Sequence, residues 1–203
     1  MNTISADYLA QQKQLHQDVR YGTASVGYAP LIVDIVEASG FRSVCDYGAG
    51  KCRLGQALRR KIKKFDYYPF DPAFPEYGPA KTAEIVACID VLEHIEPEYL
   101  DQVITQLAKL TTHIGFFSIH TAPAKKVLAD GRNAHLIQQP ASWWMGKLLP
   151  HFDVIQLTPV KRGFWVIVQS KGSNHARLFV QKPGYATITG KIKRWFRRSF
   201  RPL

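Results

Sequence analysis

The run Val44-Cys45-Asp46-Tyr47-Gly48-Ala49-Gly50-Lys51-Cys52-Arg53-Leu54-Gly55 constrains the fold more than any other stretch of this 203-residue chain. A short apolar segment ends in an acid and turns at once through two glycines into a helical pattern, as a strand-turn-helix unit does. Glycine at such a turn permits positive φ and close approach of the backbone to a ligand, and the helix that follows presents unpaired N–H groups. The spacing is D-x-G-x-G, with Cys52 where a dinucleotide fold would place a further glycine against a pyrophosphate. An adenosyl cofactor, which has no phosphates, fits this turn better.

Two later segments extend the pattern. Tyr67-Tyr68-Pro69-Phe70-Asp71-Pro72 reads as a second strand ending in an acid, and a carboxylate can accept from both hydroxyls of a vicinal diol. Ile85-Val86-Ala87-Cys88-Ile89-Asp90-Val91-Leu92-Glu93-His94-Ile95 reads as a buried strand followed by a turn. In this order the three motifs, spread over roughly residues 40 to 120, resemble the class I S-adenosylmethionine-dependent methyltransferases. The resemblance implies S-adenosyl-L-methionine as cofactor, held by Asp46, Tyr47, Gly48, Gly50, Asp71, Pro72, Asp90, Val91 and Leu92, with Asp71 on the ribose hydroxyls. Two departures stand out. Cys52 replaces a glycine usual in the first motif, and residues 72–84, with Pro72, Pro75 and Pro79, leave only a loop where the family usually has a helix and a third strand.

Apolar periodicity places helices over about 5–20, Tyr28 to Ser39, Arg53 to Lys64 and Glu96 to Leu110, and strands over Arg42 to Asp46 and Ile114 to Ile119. Phe152 to Leu157 and Gly163 to Gln169 read as a hairpin. The expected class is α/β: a Rossmann-like, mostly parallel sheet flanked by helices, with a C-terminal antiparallel β-hairpin. The expected domain is 1–170, including a lid-like insertion at about 120–150, followed by a basic extension over 171–203.

Charge is informative once located. The formal net charge is +11, yet residues 161–203 hold 11 Lys and Arg and no acid, leaving 16 bases against 16 acids in residues 1–160. Within the tail, Ile192, Trp195, Phe196 and Phe200 fall near one helical face among basic residues, a pattern suited to an anionic membrane interface. Docking of that stripe on the domain itself and binding of nucleic acid are the two other readings. Cys45, Cys52 and Cys88 have neither disulfide-framework nor metal spacing, so no metal site is expected, and a reducing cytoplasm is the expected location, with peripheral attachment at the inner membrane face if the tail binds lipid. No apolar run is long enough to span a bilayer.

Methyl transfer from a sulfonium is an in-line displacement that needs a base only for a protonated nucleophile. Histidine titrates near neutrality, so His120 and His135, both in or beside the polar insertion, are the candidate bases, with His94 a third. The bland alternative for each is a histidine hydrogen-bonded to its own loop. Arg132 could fork onto an anionic substrate group or pair with a carboxylate in the Asp130-Gly131-Arg132-Asn133 turn. Trp143 and Trp144 read as anchors of the insertion rather than as stacking platforms. The leading expectation is therefore a methyltransferase acting on a small-molecule or glycan substrate, most simply a hydroxyl of a sugar or glycolipid precursor. The alternatives are methylation of RNA or DNA, and a non-catalytic cofactor-binding interaction module.

Overall fold

The computed structural model describes residues 3–176. The predicted tail helix and most of the basic extension lie outside the described residues. Among the described residues, five α-helices and six strands follow in the order α1 (Ala6–Leu15), α2 (Ala24–Ser39), β1 (Ser43–Tyr47), α3 (Arg53–Arg59), β2 (Asp66–Phe70), β3 (Ala83–Ile89), α4 (Leu100–Leu110), β4 (Thr111–His120), α5 (Ala141–Leu148), β5 (Phe152–Val160) and β6 (Gly163–Ser170).

The strands form one sheet in the order β2-β1-β3-β4-β6-β5. The first four are mutually parallel, β6 runs antiparallel to β4, and β5 closes the hairpin on the outer edge. Between β2 and β3 the chain makes only a 3₁₀ turn at Pro75–Tyr77, so β2 is an edge strand, as the prolines of that segment predict. Each edge strand carries a proline, Pro69 in β2 and Pro159 in β5.

Alternating side chains divide the core into two layers. Cys45, Val86, Cys88, Phe117 and Val166 face α4 and α5, where Val103, Leu107, Trp144 and Leu148 meet them. Val44, Ile85, Ala87, Phe116 and Trp165 face α2 and α3, against Ile32, Ile35, Leu54 and Leu58. A sheet covered on both faces needs apolar residues at its buried positions, which is why β3 from Ile85 to Ile89 reads as an unbroken hydrophobic run. Trp144 is fully buried and Trp143 packs beside it, so this part of the predicted insertion belongs to the body of the domain.

Several boundaries differ from the periodicity. α2 begins at Ala24, four residues before the expected Tyr28, and carries Pro30 inside it. It ends where Gly40, at φ 77°, donates to the Val36 carbonyl. α3 stops at Arg59 instead of Lys64, although Ile62 still reaches the core. Its first cap is Cys52, at φ 54° and ψ 32°. The usual glycine of the motif is thus replaced at a position that keeps its left-handed backbone, at a cost of about 1–2 kcal/mol for a residue with a Cβ.

Candidate functional site

In an open sheet of this kind, the crevice lies beyond the carboxyl ends of the strands, where the strand order reverses. Here β1 feeds β2 on one side while β3 lies on the other, and the ends of β1, β2 and β3 open into a cleft. Tyr47 ends β1, and Gly48, Ala49 and Gly50 follow it along the floor; Asp71, Pro72 and Ala73 follow β2; Asp90 and Val91 follow β3.

The glycine turn is held by the neighbouring strand. Gly48 and Ala49 donate their N–H groups to the Phe70 carbonyl at 2.7 and 3.0 Å. The Gly50 N–H donates to Asp71 Oδ2 at 2.9 Å, and the Ala73 N–H donates to Oδ1 at 2.8 Å. Both oxygens of Asp71 are thereby oriented, and each keeps a lone pair for a further donor. Gly48 sits at φ 78°, and a Cβ there would lie 2.4 Å from Val91 Cγ2, so both conformation and space require glycine.

The opposite wall comes from the amino-terminal segment: Tyr8, Gln12, His16 and Tyr21. α1 is fastened across the site by Ser5, whose N–H and hydroxyl donate to Glu96 at 2.8 and 2.6 Å, and by Tyr8, whose hydroxyl donates to the His94 carbonyl at 2.7 Å. Two polar atoms on this wall, Gln12 Nε2 and His16 Nδ1, are buried without a hydrogen-bond partner. Such atoms are costly unless a ligand answers them. The segment after β4 packs on the outside of α1 through Leu128, Ala134 and Leu136.

Beside the cleft lies a cluster of histidines and acids. Asp90, at φ 60°, follows β3. Glu93 is fully buried; its Oε1 accepts from the His120 N–H at 2.6 Å, and its backbone carbonyl accepts from Ile137. His94 Nδ1 lies 2.7 Å from the Ala134 carbonyl and His135 Nδ1 2.7 Å from the Ala122 carbonyl. A carbonyl only accepts, so both Nδ1 atoms carry the proton. The two rings stand edge to face 4.7 Å apart, and His120 is 5.4 Å from His135. Burial lowers His94 to about 4 and also lowers His135, so both imidazoles are neutral at neutral pH. Burial, reinforced by the Asp90 carboxylate, pushes Glu93 well above the usual range.

No protein-family model and no curated protein matches the sequence. Solved structures do match the fold. An O-methyltransferase family protein from Burkholderia thailandensis superposes with a TM-score of 0.56 at 15% identity, over 85% of this chain and 65% of that one. The 1,6-didemethyltoxoflavin N1-methyltransferase of the same organism, solved with its substrate and S-adenosylhomocysteine, gives 0.58 at 14% identity, over 84% of this chain and 92% of that one. Mitomycin 7-O-methyltransferase MmcR gives 0.57 at 12% identity, over 77% and 60%. This is the class I methyltransferase fold.

Set on the methyltransferase fold, most of the residues expected at the cofactor line the cleft: Tyr47, Gly48, Gly50, Asp71, Pro72, Asp90 and Val91. Two do not. Asp46 is buried on the α3 side of the sheet, where it accepts a hydrogen bond from the Tyr67 hydroxyl, and burial pushes its carboxyl up to about 7. Leu92 is fully buried in the core layer under α4. Of the expected catalytic residues, His120 and His135 meet beside the cleft, as does His94.

Arg132 stands apart. It lies on an exposed turn and forks onto Asp130 from Nε at 2.9 Å and Nη2 at 2.7 Å, the local pairing that the turn sequence allowed. Arg132→Ala is therefore expected to cost less than about 1 kcal/mol in a thermal melt and to leave S-adenosylhomocysteine affinity unchanged. A large loss of affinity in that titration would return the arginine to the site.

Tyr8, Gln12, His16 and Tyr21 are among the lining residues that the sequence motifs miss. Glu93 stood inside a recognised motif, yet its burial gives it a role that the motif alone did not assign.

Proposed function

We propose that the chain is an S-adenosylmethionine-dependent methyltransferase that methylates a hydroxyl of a small molecule. The observation that carries this reading is the pairing of an oriented carboxylate, Asp71, with a glycine turn that tolerates no Cβ, both at the reversal point of a methyltransferase sheet. Asp71 would hold the ribose diol, Gly48 to Gly50 would lie against the amino-acid portion, and Gln12 and His16 would supply partners that now go unanswered. When bound, the cofactor supplies a methyl group activated on a sulfonium.

A hydroxyl acceptor follows from the histidines. His94 and His135 each present an unprotonated Nε2, and His120 adjoins them, so a hydroxyl placed at this corner of the cleft has a proton acceptor within the cluster. Within hydroxyl acceptors, a sugar or glycolipid precursor and peripheral membrane attachment rest on the basic, aromatic tail. Among the described residues, no helix is long and apolar enough to cross a membrane. The test is calorimetric titration of S-adenosylhomocysteine, followed by methyl transfer from labelled donor to hydroxyl compounds and, in parallel, to RNA and DNA. Binding with transfer to a hydroxyl compound is expected; absence of binding would overturn the enzyme reading, and transfer to nucleic acid alone would move the acceptor there.

A further inference from the structure

We propose that Asp90, His94 and His135, with Glu93 beside them, bind a divalent first-row transition-metal ion. One ligand atom from each of the first three residues lies within 4.8 Å of the other two. Donors arranged tetrahedrally at about 2.0–2.2 Å from an ion stand about 3.3–3.6 Å apart, so a movement of under about 1 Å by each side chain closes the set on an ion.

Hydrogen bonding prepares the histidines as ligands. Each commits Nδ1–H to a backbone carbonyl, which leaves the Nε2 lone pair free, the arrangement that fixes tautomer and ring orientation in metal-bound histidines. Each acid keeps one oxygen without a donor. Asp90 Oδ1 and Glu93 Oε2 are buried and receive no hydrogen bond, and His120 Nε2 stands 3.4 Å from Asp90 Oδ1. Two imidazole nitrogens and a carboxylate favour zinc, iron, cobalt or nickel over magnesium or calcium. Asp90 and His94 also line the cleft, so the ion would have coordination positions open towards it. Resting on the reading of the chain as a hydroxyl methyltransferase, those positions would take the acceptor oxygen and ease its deprotonation; with the Nε2 atoms of His94 and His135 on the ion, the proton would pass to His120, which adjoins His135. The expectation of no metal site weighed only the cysteines; the donors here come from segments joined by the fold.

The competing account is a proton shared between Asp90 and Glu93, with no ion. Full-length protein stripped with chelator and titrated with Co²⁺ separates the two, because bound Co²⁺ absorbs in the visible. One equivalent is expected, with Zn²⁺ displacing it and Mg²⁺ not. His94→Gln and His135→Gln should each weaken binding by more than about 100-fold, beyond what loss of an outer-shell contact causes. His113→Ala, which dismantles a separate histidine pair with rings 4.7 Å apart, should change nothing. No saturable absorption in wild type, or an undiminished signal in a folded His94→Gln/His135→Gln protein, overturns the proposal. S-adenosylhomocysteine binding is measured on the metal-free protein, so the metal site and the cofactor site can fail independently.

Discussion

Asp71→Ala is expected to weaken S-adenosylhomocysteine binding by about 10- to 100-fold. Hydrogen bonds to a charged group contribute about 1.5–3 kcal/mol each, and this carboxylate is fixed from both sides, by the N–H groups of Gly50 and Ala73. Removal also frees those two donors, so the glycine turn itself loosens. Asp71→Asn separates the effects: it keeps an oxygen for one N–H and gives up the charge, and its affinity should fall between those of wild type and alanine. Wild-type affinity in both variants, read by calorimetry, would take the ribose away from this residue.

The second large effect concerns stability against pH. Asp46 is wholly buried, and burial raises its carboxyl from the ordinary 3.8 to about 7 in spite of the Tyr67 hydrogen bond. A group whose folded pKa exceeds its unfolded value contributes stability that is complete below the unfolded value and disappears as pH rises through the folded one. Asp46 should therefore erode stability between about pH 4 and pH 7 by an amount on the order of 4 kcal/mol. Asp46→Asn keeps an acceptor for Tyr67 and cannot ionise. Chemical denaturation across that window should show wild type losing ground to the variant as pH rises; parallel curves would mean that Asp46 titrates as an ordinary carboxylate.

Asp46 also shows where the motif and the molecule part. Along β1, Val44 and Asp46 share one face of the sheet while Cys45 and Tyr47 share the other, by simple alternation. On the Val44 side, Tyr67 lies against Gly55 of α3, where a Cβ would come within 2.5 Å of the ring, and there the aspartate finds its partner. Tyr47 and the glycines reach the cleft because the chain has already left the strand plane. What the sequence displays well is local: the turn glycines, Asp71, Asp90 and Val91 all follow from strand ends within a few residues. The proline-bearing segment before β3 likewise announces its missing strand.

The far wall was hidden because it is made by docking. Tyr8 and Gln12 sit on a helix with little amphipathic contrast and His16 caps its end, and they belong to the site only because Ser5 and Tyr8 tie that helix to Glu96 and to the His94 carbonyl. His94 and His135 become neighbours only when Ala134 and Ile137 bond back to the turn after β3. No periodicity within either segment carries that information.

The two edge prolines have a bearing on how the protein behaves in a crowded solution. An open sheet normally offers a row of unused donors and acceptors along each margin, a template on which another chain can add a strand. Proline survives in a sheet where its nitrogen faces away from the ladder, so Pro69 and Pro159 each delete a donor from an outward margin. The outer strand β5 is further broken by a register shift between Val154 and Gln156, which bends the margin away from a flat partner. Both margins of the six-stranded sheet, as the described residues form it, are thus poor seeds for end-to-end growth.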